Sequence, residues 1–174
     1  FGGHKAACGL SLEKEQLESF REAINRQSNL TEEELTEKIR IDVNMPFGYI
    51  TENTIESINR LEPFGNGNET PVFALKDLLL VRGSKNGADA NHLFITILDS
   101  NNKYRSLKLW WGAEDFEYFL RQKISEDRIN DFYKYEGKGI MDLNIRLTVS
   151  YMPVINEFNG RRDIDFILKE YKYS

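Results

Sequence analysis

Cysteine and histidine are nearly missing from this sequence: its 174 residues include one cysteine, Cys8, and two histidines, His4 and His92. A lone thiol excludes an internal disulfide framework. Two distant imidazoles, with no Asp-His-His cluster, leave no complete site for a catalytic metal. No apolar run approaches the ~20 residues that a membrane-spanning helix requires, so no membrane partner is expected and the reading is of an intracellular, cytoplasmic protein. A surplus of positive charge is missing too. The 23 Lys and Arg against 28 Asp and Glu give a formal net charge of -5, which excludes a uniformly basic nucleic-acid binder and confines any phosphate-gripping surface to a local patch. The chain opens Phe1-Gly2-Gly3-His4, without an initiator methionine or the charged and apolar regions of a secretory leader. It is expected to be a piece of a longer protein, with part of the chemistry upstream.

What is present is the balance of an ordinary folded protein: 40% hydrophobic and 29% charged residues. The length suits one domain plus a fragment of another. Residues 10–12 read as the end of a buried strand. Leu17, Phe20 and Ile24 then recur at helical spacing. Thr31 with Glu34 has the form of a capping box and predicts a short helix ending before an alternating stretch at 39–43. The acidic run Glu32-Glu33-Glu34 reads as that helix's first turn. Thr51 is placed to cap a third helix with Ile55, Ile58 and Leu61 on its apolar side.

Pro63 and the run Phe64-Gly65-Asn66-Gly67-Asn68 break this periodicity. Beyond Pro71 the pattern changes to period two, with strands expected near 72–82, 92–98, 103–111, 143–151 and 163–171. One helix, at 113–124, carries Phe116, Phe119 and Leu120 at helical spacing between the third and fourth strands. That order is the one found in an oligonucleotide-binding (OB) barrel. The expected class is therefore α+β, with helices preceding a five-stranded barrel.

The segment Gly2-Gly3-His4-Lys5-Ala6-Ala7-Cys8-Gly9-Leu10-Ser11 offers side-chain-free backbone and an imidazole donor to an anionic oxygen, with small Ala6, Ala7 and Gly9 keeping the surroundings open. By themselves Gly2-Gly3-His4 read more readily as a tight turn with an incidental histidine. The whole segment resembles the GGHxxAAG signature of the domain that accompanies DHH phosphoesterases, with Cys8 standing for the second alanine. Cysteine is small and commonly buried, so this change is expected to preserve packing. Leu61-Glu62-Pro63-Phe64-Gly65-Asn66-Gly67-Asn68 followed by Pro71 is similar to the LxPFGxGNxxP segment leading into the OB domain of RecJ exonucleases. Asn156-Glu157-Phe158-Asn159-Gly160 resembles the NEFNG-type hairpin before that domain's last strand. The three matches occur in the family's order and span nearly the whole chain.

The resemblance implies the end of a DHH-associated α/β domain with connecting helices at 1–45, a helical linker at 46–70 and an OB domain at 71–174. It implies the substrate-binding part of a single-stranded-DNA-specific exonuclease acting 5′ to 3′ in repair and recombination. The cutting metal, Mn2+ or Mg2+, would sit in an upstream DHH domain, leaving this piece inactive alone. His4 would contact the scissile phosphate, with Gly2, Gly3, Ala7 and Gly9 around it. Single-stranded DNA is the implied partner, and other repair or single-strand-binding proteins are further candidates. Two other readings stay open: a non-catalytic OB module holding nucleic acid or protein, and part of another DHH-family phosphodiesterase.

On the barrel, alternation along the third strand places Tyr104, Ser106, Lys108 and Trp110 on one face. Arg105, Leu107, Leu109 and Trp111 fall on the other, read as core. Tyr104 and Trp110 are then candidates to stack on bases and Lys108 to meet a phosphate. In the fourth strand Arg146 lies opposite apolar Ile145 and Leu147 and extends the basic track. Arg161 and Arg162 follow Gly160 at a hairpin tip and are candidates to grip the DNA backbone, though Asp163 and Asp165 sit beside them. A packed Trp110 and a solvated turn at 160–162 are the plainer alternatives.

Overall fold

The computed structural model describes residues 1–4, 7–35, 40–135 and 143–174, apart from the side chains of Glu32 and Glu33. Lys5 and Ala6 of the glycine-rich motif, Ile39 of the alternating stretch and the first two glutamates of the acidic run lie outside that description. The chain divides into two compact units, Phe1–Ile39 and Arg40–Ser174.

In the first unit β1 (Gly2–His4) and β2 (Ala7–Gly9) pair antiparallel, with Gly3 opposite Cys8. A Cβ on Gly3 would come within 2.5 Å of the Cys8 Cβ, so glycine is needed there to let the two strands approach. Cys8 is exposed rather than buried. Residues 10–12 are not a strand, and Leu10 is exposed; two short paired strands within the motif stand in place of the buried strand end expected at Leu10 and Leu12. A 3-10 turn at Lys14–Gln16 leads into α1 (Leu17–Gln27), whose Leu17, Phe20 and Ile24 share a face as predicted. At α2 (Glu32–Leu35) the capping box forms. The Thr31 amide donates to Glu34 Oε2 at 2.9 Å and the Glu34 amide to Thr31 Oγ1 at 3.3 Å. The bond from the Thr31 amide holds the Glu34 carboxyl below its ordinary value.

The second unit begins ahead of the change to period two. β3 (Val43–Asn44) adds in parallel to the edge of β4 (Phe73–Asn86). Beside it the Asp42 carboxylate accepts from the Val72 amide at 2.9 Å. A 3-10 turn at Phe47–Tyr49 precedes α3 (Glu52–Asn59), where Thr51 caps through Thr54. Phe47, Ile50 and Ile55 belong to the same buried cluster as the strands. The Phe47 ring lies 4.8 Å from Tyr151 and 4.7 Å from Phe166, and the Tyr151 phenol donates to the Met45 carbonyl. Residues 40–59 are thus part of the barrel's own packing, ahead of the boundary expected at 71. Leu61, placed by spacing on the apolar side of α3, falls beyond the helix end and is exposed. The following turn is tied by Asn68, whose Nδ2 donates to the carbonyls of Leu61 at 2.8 Å and Pro63 at 3.0 Å. Gly67 takes φ +83°, which favours glycine.

The barrel consists of β4, β5 (His92–Leu98), β6 (Tyr104–Leu109), β7 (Arg146–Phe158) and β8 (Arg161–Tyr173). They run in the order β4-β5-β6-β8-β7, and β4 pairs with β7 to close it. This is the expected five-stranded OB arrangement, with β6 and β8 parallel. Leu93, Ile95, Ile97, Leu107 and Leu109 point inward, as period two requires. Between β6 and β7 there are two helices rather than one. α4 (Ala113–Arg121) buries Phe116 and Leu120, and α5 (Glu126–Lys134) buries Ile129 and Phe132. Gly83 on β4 makes room for this second helix, since a Cβ there would lie 2.4 Å from the Phe132 ring.

Candidate nucleic-acid interface

The outward residues of three neighbouring strands form one surface. On β5 they are His92, Phe94 and Thr96, and on β6 Tyr104, Ser106 and Lys108, with Phe94 opposite Lys108 and Thr96 opposite Ser106. β4 adds Ser84 opposite Phe94 and Arg82 opposite Thr96. Arg82 is exposed, and its Nε reaches Thr96 Oγ1 at 3.4 Å. The inside-outside assignment for 104–109 therefore holds. Tyr104 is half exposed at one end of the row. At the other end Trp110, also partly exposed, stands edge-on to His92 with ring centroids 4.9 Å apart and to Phe94 at 6.1 Å.

Trp111 departs from the core position that alternation predicts. Its φ is +61° and its side chain is 73% exposed. The strand ends at Leu109, and the left-handed residue that follows turns the indole outward. Its amide donates to His92 Nδ1 at 3.2 Å, and the two rings meet edge-on at 4.5 Å. Beside Trp110 and Trp111 an open groove of about 420 Å³ is lined also by Asp115, Phe119, Lys169 and Tyr171. Burial, with the Asp115 and Glu170 carboxylates nearby, pushes the Tyr171 phenol up to about 12.

The cations expected to grip phosphate are mostly engaged. Lys108 Nζ sits 2.5 Å from Asp165 Oδ2 and 5.2 Å from the centre of the Phe94 ring, and both side chains of the ion pair are largely buried. It serves the barrel wall and is not available to a phosphate in this arrangement. Arg162 is held by three carboxylates: Glu52 and Glu56, each at 2.9 Å, and Glu157 at 3.1 Å. The Glu56 bond first, then the charges of Glu52 and Glu157, keep its guanidinium above the ordinary arginine value. It ties the β7–β8 hairpin to α3. Arg161 is exposed and makes no ion pair among the described residues. Arg146 donates from Nη1 to the Asp77 carbonyl at 2.8 Å. β8 separates Arg146 from the β6 row on one side, while on the other it lies opposite Leu79 of β4. Gly2, Gly3, His4, Ala7 and Gly9 are exposed on the β1–β2 pair of the first unit, with Gly2 opposite Gly9, His4 opposite Ala7 and Gly3 opposite Cys8.

Sequence reading missed Arg82, Lys169, His92 and the exposure of Trp111. The Trp-Trp-Gly junction between strand and helix was the available signal for the last, since Gly112 marks a turn where strict alternation stops. Among the described residues no group of three or more His, Cys, Asp or Glu side chains is placed to hold a metal ion. These residues do not fit the Mn2+ or Mg2+ implied by the resemblance. No helix among the described residues is long and apolar enough to cross a membrane.

Residues 41–170 match the family described as the RecJ OB domain. This chain belongs to the RecJ family. It is 30% identical over 172 residues to the single-stranded-DNA-specific exonuclease RecJ of Bacillus subtilis (strain 168), covering 98% of this chain and 19% of that protein. The crystal structure of RecJ in complex with Mg2+ from Thermus thermophilus superposes with a TM-score of 0.54 at 13% identity, over 93% of this chain and 21% of that one. That likeness shows the fold. The mitochondrial single-stranded DNA binding protein Rim1 of S. cerevisiae reaches a TM-score of 0.30 at 10% identity over 59% of this chain and 90% of its own, too faint to carry an argument. The chain thus spans about a fifth of the length of the RecJ proteins it matches.

Proposed function

We propose that the outer face of β4, β5 and β6 is a single-stranded-DNA-binding surface, and that the chain is the substrate-binding part of a RecJ-type exonuclease that hydrolyses phosphodiester bonds in the 5′ to 3′ direction. The observation that carries this reading is a pair of accessible aromatic rings, Tyr104 and Trp110, at the two ends of one outward row on the wall of an OB barrel, with partly exposed Phe94 between them and exposed Arg82 and Lys169 to the sides. Every base has a π-face, so such a row binds a strand with little regard to sequence, at ~1–3 kcal/mol per stacked base. From Tyr104 to Trp110 the strand runs six residues, about 20 Å at ~3.3 Å each. That reach is compatible with the ~4–16-nucleotide footprint of a single OB fold.

In this reading His4 and the glycines beside it approach the scissile phosphate as positioned donors. The cutting metal, Mn2+ or Mg2+, belongs to an upstream DHH region. A role in DNA repair and recombination in the cytoplasm follows from the same family reading, and repair or single-strand-binding proteins are its further partners.

Fluorescence anisotropy with a labelled single-stranded oligonucleotide tests the binding half. Weak binding that falls as salt rises is expected, with a shallow slope because Lys108 and Arg162 are already paired. No binding at low salt overturns the reading. An incubation with added Mn2+ tests the rest: the chain should leave the oligonucleotide intact, and cleavage would overturn the assignment of the metal to an upstream region.

A further inference from the structure

The backbone at Trp111 is in a conformation that bulky L-residues avoid, φ +61°. Such conformations persist where the surroundings over-determine them, and they cluster at ligand-binding positions. Burial of the indole does not compensate here, because it is 73% exposed. The surroundings do fix its posture. The Trp111 amide donates to His92 Nδ1, and the imidazole stands edge-on between the rings of Trp110 and Trp111. Gly87 admits the imidazole, since a Cβ there would lie 3.0 Å from His92 Cδ2. The largest side chain of the barrel surface is thereby held upright along the groove that also contains Lys169.

We propose that Trp111, rather than Trp110, is the principal base-stacking residue, that its groove takes one unstacked nucleotide with the base on the indole and the phosphate toward Lys169, and that His92 is a positioning residue for that stack. This inference rests on the single-stranded-DNA reading and names its main contact. The groove's volume of about 420 Å³ is within the ~300–1,000 Å³ of ligand clefts. An aromatic wall facing an ammonium matches the two chemistries of a nucleotide. Trp110, by contrast, is 44% exposed against 73% for Trp111, with both His92 and Phe94 packed perpendicular to it.

The test is anisotropy and tryptophan-fluorescence titration of the whole chain with a single-stranded 12-mer, with a mononucleotide as a parallel arm. Trp111→Ala should weaken 12-mer binding about tenfold or more, Trp110→Ala by less, and Trp111→Phe should retain most of it. Tyr118→Ala, an exposed aromatic on α4 away from the groove, should match the parent. Lys169→Ala should lower the salt slope by about one charge. His92→Ala should weaken binding and reduce the fluorescence response, because the indole loses its brace. The mononucleotide should bind far more weakly than the 12-mer; equal affinity would overturn the assignment of this groove to a strand.

Trp111→Gly separates function from structure: glycine accepts φ +61°, so this variant should melt at a higher temperature than Trp111→Ala while binding as poorly. If the parent binds and Trp111→Ala binds equally well, this inference fails and the single-stranded-DNA reading stands. If the parent does not bind at all, both fail. A Trp111→Gly variant that melts lower than Trp111→Ala would make Trp111 structural and overturn the inference as well.

Discussion

The two compact units differ in where their apolar side chains go. In Phe1–Ile39 no described residue is buried, and Leu17 and Ile24 of the amphipathic α1 remain half exposed. In Arg40–Ser174 one continuous cluster runs from Phe47 on the 3-10 turn through β4 to β8 and the two helices, with Leu80, Leu93, Ile95 and Phe132 fully enclosed. Both sequences have amphipathic periodicity, so a patterned stripe is not the same as a core. Among the described residues the short unit buries no side chain, so most of the stability is expected to come from the barrel unit.

Separating the two units should have the largest effect. Residues 40–174 alone should show a cooperative thermal transition close to that of the whole chain by far-UV circular dichroism, and residues 1–39 alone should show none. A cooperative melt of the short piece would end the contrast. Next in size are single truncations followed by urea denaturation. Phe132→Ala should cost about 3–5 kcal/mol, while Ile24→Ala on the exposed α1 face should cost well under ~1 kcal/mol. Gly83→Ala should also destabilise, by about 1–3 kcal/mol, since the Phe132 ring must move to admit the new methyl.

A smaller, pH-dependent effect should belong to the barrel alone. Burial raises the Tyr171 phenol from 10.0 to about 12. A raised folded-state value means that the native form holds its proton more tightly, so stability is intact below pH 10 and declines as pH climbs towards 12. Residues 40–174 should therefore lose urea resistance across that window, and a flat profile would remove this contribution. The least effect is expected at Arg162. Its ion pairs are solvent-exposed, so Arg162→Ala should leave the unfolding midpoint nearly unchanged while speeding amide exchange at the β7–β8 hairpin at low salt.

Period two made the strands legible, because inward Leu93, Ile95 and Ile97 and outward Phe94 and Thr96 obey strict alternation. Local chemistry made the caps legible: Thr31 with Glu34, and Thr51 before α3. α5 was readable from Ile129, Phe132 and Tyr133 behind Ser125, a pattern short enough to pass as loop. The site was harder. Trp111 needed a backbone angle that no alternation rule contains. Lys108 looked free because Asp165 lies 57 positions away, and Arg162 because two of its three partners, Glu52 and Glu56, lie more than 100 positions away. Basic residues declare their charge in sequence but not who neutralises it.

The barrel wall is unequally stitched. β7 and β8 are paired from Leu147 opposite Tyr173 to Phe158 opposite Arg161, whereas β6 meets β8 only at Leu107 with Phe166 and Lys108 with Ile167. Lys108 and Asp165 clasp this short seam from outside. A hoop is weakest where its staves overlap least, so amide exchange should be faster along this seam than along β7 and β8.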